Sequence, residues 1–290
     1  MNPVRLASRL PAPLAQDWSL VLTAVGVEHA LQSTPEGGEL WVDAAEQARA
    51  ADELGRYLRE NRPSPVPAVS WPAYRHAAWG VAAYAVALVL VTAAALYRVG
   101  ERNWVSRGVL EIGLLERAEW WRVFTALTLH ADLGHLLANL AFGLLFAYPA
   151  AQFLGVGVAW LAIVLGAGAA NAVDMLLHPP HHSVLGASTA VFVALGLTSA
   201  FSWRRRATYS LTWMQRLSPL VAGVALLAFT GAGGERTDLL AHALGFLAGV
   251  LGGFALAHAR LPPPGRAAPQ WLAAGLALGI LVAAWTAALQ

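Results

Sequence analysis

The sequence predicts an all-α polytopic membrane helix bundle preceded by a small N-terminal α+β soluble domain. Three observations carry this. Apolar types make up 57% of the 290 residues and charged types 12%, against about 45–50% and about 25% in ordinary soluble domains. A series of apolar runs follows, and about 20 mostly apolar residues suffice to cross a bilayer. Charge is concentrated at the front, where residues 1–75 hold 16 of the 36 charged residues.

Composition also excludes function classes. A mean hydropathy of +0.53 argues against both disorder and a conventional soluble enzyme. Seventeen acidic and 19 basic residues nearly cancel, so no surface for nucleic acid is implied. There is no cysteine, hence no disulfide, thiolate zinc site or cysteine nucleophile. All 19 basic residues are arginine. That removes Walker A chemistry, a Ser–Lys dyad and a lysine Schiff base. The Lys-free, Ala/Arg/Gly-rich usage suggests a GC-rich genome.

The elements follow in order. Residues 1–13 hold two arginines but no apolar core, so they do not read as a signal peptide. Residues 15–25 suit a helix. Residues 27–32 and 39–42 suit strands, joined by the turn residues Thr34, Pro35, Glu36, Gly37 and Gly38. Residues 44–60 suit a second helix, with Asp43 as cap and Ala48, Ala51, Leu54 and Leu58 on one face. Residues 1–62 thus form the small domain, cytoplasmic by the arginine argument below, with a regulatory or docking role and an unknown partner. Residues 63–75 form a proline-rich linker.

Seven spans are expected, over 77–97, 133–153, 156–177, 184–203, 217–231, 239–258 and 271–289. Arg204, Arg205, Arg206 and Arg216 lie between spans four and five, and Arg260 and Arg266 between six and seven. Both loops fall on the side of the N-terminus, which the positive-inside rule makes cytoplasmic. The long loop after span one carries Arg102, Arg107, Arg117 and Arg122 and argues the other way. The compact triple-arginine loop weighs more, because the rule works best on short loops.

Polar groups inside spans are functional candidates by default. Span two carries His135 and Asn139, span three Asn171 and Asp174, span four Ser188 and Thr189, and span six His242 after Asp238. Spans two, four and six run in the same direction. Counted from their starts, His135, Asn139, Ser188 and His242 share one depth, roughly 5–10 Å below the outer end. His135 and Asn139 are four apart and project from one helix face. A serine, an imidazole and a donor pair are the parts of acyl transfer: nucleophile, general base and oxyanion stabiliser. Gly245, Gly249 and Gly253 on span six, and Ala187, Ala190 and Ala194 on span four, allow close helix approach. Asn171 and Asp174 read as interhelical hydrogen-bonders, His130 as structural, and Trp120, Trp121 and Arg122 as an interfacial anchor. His178, His181 and His182 precede Ser188. Three histidines can bind metal, but Pro179 and Pro180 constrain them and no fourth ligand is evident, so an exposed loop is expected.

At this point the residues resemble the rhomboid family of intramembrane serine proteases. Trp121 and Arg122 are similar to the Trp-Arg element of that family's first loop. His130, His135 and Asn139 resemble its second-helix motif, Gly186, Ala187 and Ser188 its Gly-x-Ser motif, and Ala241, His242, Gly245 and Gly249 its sixth-helix motif. The motifs stand in the family's order across about residues 76–260. The resemblance implies a rhomboid-like fold of six core spans plus a C-terminal seventh, within residues 261–290. It implies Ser188 as nucleophile and His242 as its base, with His135, Asn139 and the Ser188 N–H stabilising the oxyanion. It implies no aspartate, metal or cofactor in catalysis. The substrates implied are single-span or polytopic membrane proteins that enter sideways between spans two and five. The membrane expected is a bacterial inner one, with the active site opening to the periplasmic or extracellular side. Thr189 departs from the glycine many members have after the serine, and its β-branch is expected to crowd the oxyanion pocket or narrow substrate choice.

Two other classes fit the sequence less well. A non-catalytic rhomboid-like client binder normally lacks the serine or histidine. A transporter predicts polar residues at mid-bilayer and internal repeats, and neither pattern is present. His-Glu-x-x-His and Gly-Asp motifs of other intramembrane proteases are absent from the sequence.

Overall fold

The computed structural model describes residues 2–61, 74, 76–111, 118–178, 182–206, 212–231, 238–259, 261 and 266–290, without the side chains of Arg205, Arg206, Arg216, Thr230 and Gly231. Most of the expected linker, Arg117, Pro179, Pro180, His181 and Arg260 lie outside the described residues. The chain divides into two compact units, Met1–Val66 and Pro67–Gln290.

The first unit begins with β1 (Pro3–Leu10), followed by α1 (Ala12–Ala24), β2 (His29–Thr34), β3 (Gly37–Asp43) and α2 (Gln47–Glu60). The strands form one antiparallel sheet in the order β1-β3-β2. Strand β1 is not among the expected elements. Its register slips between Arg5 and Ala7 and again between Ala7 and Leu10, which breaks the alternation that marks a strand. On β3 every second residue is buried, including Leu40 and Val42, and these meet Leu22 of α1 and Leu54 of α2. Asp43 does not cap α2. Its carboxylate takes the N–H groups of Asn2 and Ala45, and Glu46 occupies the cap position. The buried face of α2 carries Ala50 and Leu54, while Leu58 is exposed.

The second unit starts with α3 (Ala77–Leu96) and continues through α4 (Trp104–Gly108), β4 (Leu110–Glu111) and α5 (Arg122–Thr125). Then come α6 (Leu133–Leu154), α7 (Val156–Leu177), β5 (Ser183–Val184), α8 (Ser188–Arg206), α9 (Trp213–Gly231), α10 (Leu239–His258) and α11 (Ala267–Ala288). Helices α3, α6, α7, α10 and α11 are long and apolar enough to cross a membrane. Helices α8 and α9, of 19 residues each, stand where spans four and five are expected. Helix α8 starts at Ser188 rather than 184, because Val184 pairs with Leu110 in a short β-ladder.

The core of this unit lies between α6, α7, α8 and α10. The most extensive contact is α8 against α10. It is a seam without side chains between the backbones. A Cβ on Gly253 would lie 2.7 Å from the Leu197 carbonyl, and one on Gly249 or Gly196 would overlap the carbonyls of Val193 or Phe246. The glycines that the sequence marks for close approach on α10 stand at the seam, whereas Ala187 and Ala190 of α8 face the cavity beside α3, α7 and α11.

Helix α11 is fastened by two polar side chains. The Gln270 carboxamide oxygen accepts the N–H groups of Gly157 and Val158, and its nitrogen donates to the Leu154 carbonyl. It thereby caps the junction of α6 and α7. The Trp285 indole donates to Thr128 Oγ1 at 3.0 Å, just before the His130 segment.

Candidate active site

Four segments meet at one end of α6, α8 and α10. Helix α6 opens with a side-chain cap: Asp132 Oδ1 accepts the His135 N–H at 2.8 Å. His135 is half-buried and Asn139 is buried. The Asn139 amide donates one hydrogen to the His135 carbonyl, and an amide nitrogen has a second to give. The Asn139 carbonyl accepts the Tyr84 hydroxyl at 2.8 Å. Tyr84 also fills the space over Gly143 and stacks on Trp160, so α3 fixes the height of α6 at Asn139. A lone tyrosine hydroxyl in an apolar run gave no sign of this position. Its spacing from any motif is the reason.

The segment before Ser188 is held from two sides. Val184 and Ser183 pair with Leu110 and Glu111. The Gly186 N–H donates to the Ala126 carbonyl at 2.9 Å. Gly186 has φ +129, a conformation that favours glycine. A Cβ there would stand 2.7 Å from His135 Nε2 and 3.8 Å from Asn139 Nδ2. The pair four apart on α6 therefore faces the turn that delivers Ser188. Ser188 is half-buried at the first position of α8, where helix N–H groups have no partner inside the helix and the dipole is positive.

Helix α10 is capped by Asp238, whose Oδ1 accepts the Ala241 N–H at 2.9 Å. Burial would raise the Asp238 carboxyl. The Ala241 N–H and the neighbouring His182 and His178 outweigh it and hold it below the ordinary carboxylate range. His242 follows four residues on and is buried. Its ring packs on Phe192, with centroids 4.4 Å apart. Phe192 lies four residues after Ser188, on the same face of α8. One turn further along α10, Gly245 abuts the carbonyl and the Cγ2 methyl of Thr189. The Thr189 methyl thus faces α10, whereas His135 and Asn139 stand at Gly186.

The neighbouring groups divide into supports and a separate cluster. His130 packs edge-on against His135, with centroids 5.1 Å apart. Burial and the adjacent His135 push its pKa down to about 4. Buried Arg122 donates to the carbonyls of Ser106 and Val109 and pairs with Glu119, which fixes the loop between α3 and α6. Asn171 donates to the Val123 carbonyl of that loop rather than to another span. Asp174 stands beside His178 and His182 and meets Asp238 at the start of α10. An apolar cavity of about 430 Å³ lies between α3, α7, α11 and the start of α8. None of His135, Asn139, Ser188 and His242 lines it.

Fold and site define a helical integral membrane protein in which Ser188, His242, His135 and Asn139 stand at the starts of three helices. The Rhomboid domain model matches residues 117–259 of the chain, which supports a rhomboid-family protein. It is 29% identical over 203 residues to Rhomboid-like protease 3 of Toxoplasma gondii, covering 67% of this chain and 73% of that protein. It is 28% identical over 179 residues to Rhomboid protease GluP of Bacillus subtilis, covering 61% of this chain. That match spans 34% of the Bacillus protein.

Proposed function

We propose that this chain is an intramembrane serine endopeptidase that cleaves transmembrane segments of membrane proteins near the outer membrane face. Ser188 is the nucleophile and His242 its general base. The observation that carries this reading is the set of contacts around α8. His135 and Asn139 stand against Gly186 on one side, and His242 packs against Phe192 on the other.

The chemistry follows from these roles. His242 takes the Ser188 hydroxyl proton as Oγ attacks the scissile carbonyl. The oxyanion is met by donors from His135, Asn139 and the Ser188 N–H. The positive end of α8 favours the same charge. The C–N bond breaks as His242 returns the proton to the leaving amine. Water then hydrolyses the acyl-enzyme by the same base, releasing the new carboxyl end. The substrate helix must unwind first, because helical carbonyls are hydrogen-bonded, and small or glycine residues at the cut favour unwinding. The packing of the Thr189 methyl on Gly245 supports an oxyanion pocket that this residue leaves open. Arginine placement supports a cytoplasmic N-terminus, with residues 1–62 as a cytoplasmic domain, 63–75 as linker, 76–260 as protease core and 261–290 as the added linker and helix.

The test is cleavage of a single-span substrate by the purified protein in detergent, beside Ser188→Ala and His242→Ala. Product from the native chain and none from either variant is expected. A fluorophosphonate probe is added to the same samples, and labelling should require both residues. A folded native chain that neither cleaves nor labels would make this a client-binding, non-catalytic member.

A further inference from the structure

We propose that Asp174, His178, His182 and Asp238 form a zinc site that ties the segment leading to Ser188 to the helix carrying His242. The histidines stand out in the sequence, but their partners do not: Asp238 lies 56 residues after His182. The fold supplies the missing ligands. One atom from each of the four residues falls in a group spanning no more than 4.8 Å. His182 Nε2 is 2.6 Å from Asp238 Oδ2 and 3.9 Å from Asp174 Oδ2, and His178 Nδ1 is 3.2 Å from Asp174 Oδ1. The two rings stack in parallel at 3.7 Å, each with a nitrogen turned toward Asp174.

Asp174 is the independent sign of a ligand. It is fully buried, and neither carboxylate oxygen accepts a well-aligned hydrogen bond among the described residues. A buried carboxylate without hydrogen bonds is costly unless a cation meets it. A second carboxylate, Asp238, enters the same cluster, so two negative charges call for a divalent ion. Two imidazoles and two carboxylates suit four-coordinate zinc, with bonds of about 2.0–2.2 Å. Calcium and magnesium prefer shells of oxygen. His178 and His182 side chains are 20% and 26% exposed, which gives an ion a way in.

The four ligands come from three places. Asp174 and His178 lie at the end of α7, His182 precedes the Gly186 turn, and Asp238 caps α10. An ion there fixes the approach of the Ser188 segment to the start of α10. It touches no substrate, so its residues are positioning residues. Its effect on cleavage rests on the protease reading, whereas its binding does not.

The full chain is stripped with EDTA, dialysed against zinc chloride and assayed for zinc by atomic emission. One zinc per chain is expected in the native protein and equally in Ser188→Ala. Asp174→Asn and His178→Gln should bind at least tenfold more weakly and lose the zinc-dependent rise in melting temperature. If Asp174→Asn does not fold, His182→Gln takes its place. Folded native protein that binds no zinc, or variants that bind as the native chain does, would overturn the proposal. Stripped native protein should cleave more slowly and recover with zinc. Failure of all cleavage beside retained zinc binding would count against the protease reading alone.

Discussion

Gly186 combines two demands, a positive φ and a surface flush against the His135 ring. Gly186→Ala therefore strains the backbone by about 1–3 kcal/mol and pushes the ring aside. Cleavage should fall to near the Ser188→Ala level, while circular dichroism shows the helices retained. His130 sets a pH dependence. Its folded pKa of about 4 lies below the ordinary 6.5. Between those values the unfolded chain takes up a proton and the folded chain does not. Stability is thus full above about pH 6.5 and is lost as pH falls toward 4. Melting temperatures at pH 7.5 and 4.5 should converge in His130→Asn, apart from contributions common to both proteins. At this scale the polar residues of spans two, four and six were legible, because a polar group in an apolar run stands out. Tyr84 and Gln270 were not, because each acts through a backbone partner on a remote helix. The partnership of Asp174 and Asp238 with two histidines was hidden for the same reason.

The α8–α10 seam divides the glycines by what surrounds them. Gly249→Ala places a methyl on the Val193 carbonyl and should cost more than about 2 kcal/mol, since backbones must separate. Gly275→Ala on α11 meets nothing within 4 Å and should gain up to about 1 kcal/mol of helix propensity. Thermal melts in one detergent check both. The four-residue spacing on α10 was readable before any coordinates, because small residues at that interval have few other uses in a membrane helix. Strand β1 was not, since its bulges erase the period-two signal. Helix α8 starts later than its apolar run suggests, because Val184 is as apolar in a strand as in a helix.

In the membrane unit, α11 lies outside the matched Rhomboid domain yet is keyed to it. Gln270→Leu leaves two amide hydrogens and a carbonyl unpartnered at the α6–α7 junction, each worth about 1–3 kcal/mol. The melting temperature should drop, and Gln270→Glu, which keeps the acceptor, should recover part of it. The sequence marked the seventh helix by its apolarity, but not its role, because a single buried glutamine looks like any polar residue near an interface. The α8–α10 seam also has a history in time. Its two halves lie about fifty residues apart in the chain, and synthesis proceeds at about 5–20 residues per second. For some seconds after α8 emerges, its thin face has no partner to meet. On the proposed dyad, Ser188 waits in that interval without His242, and a newborn chain inserting among other nascent membrane proteins is silent until α10 arrives.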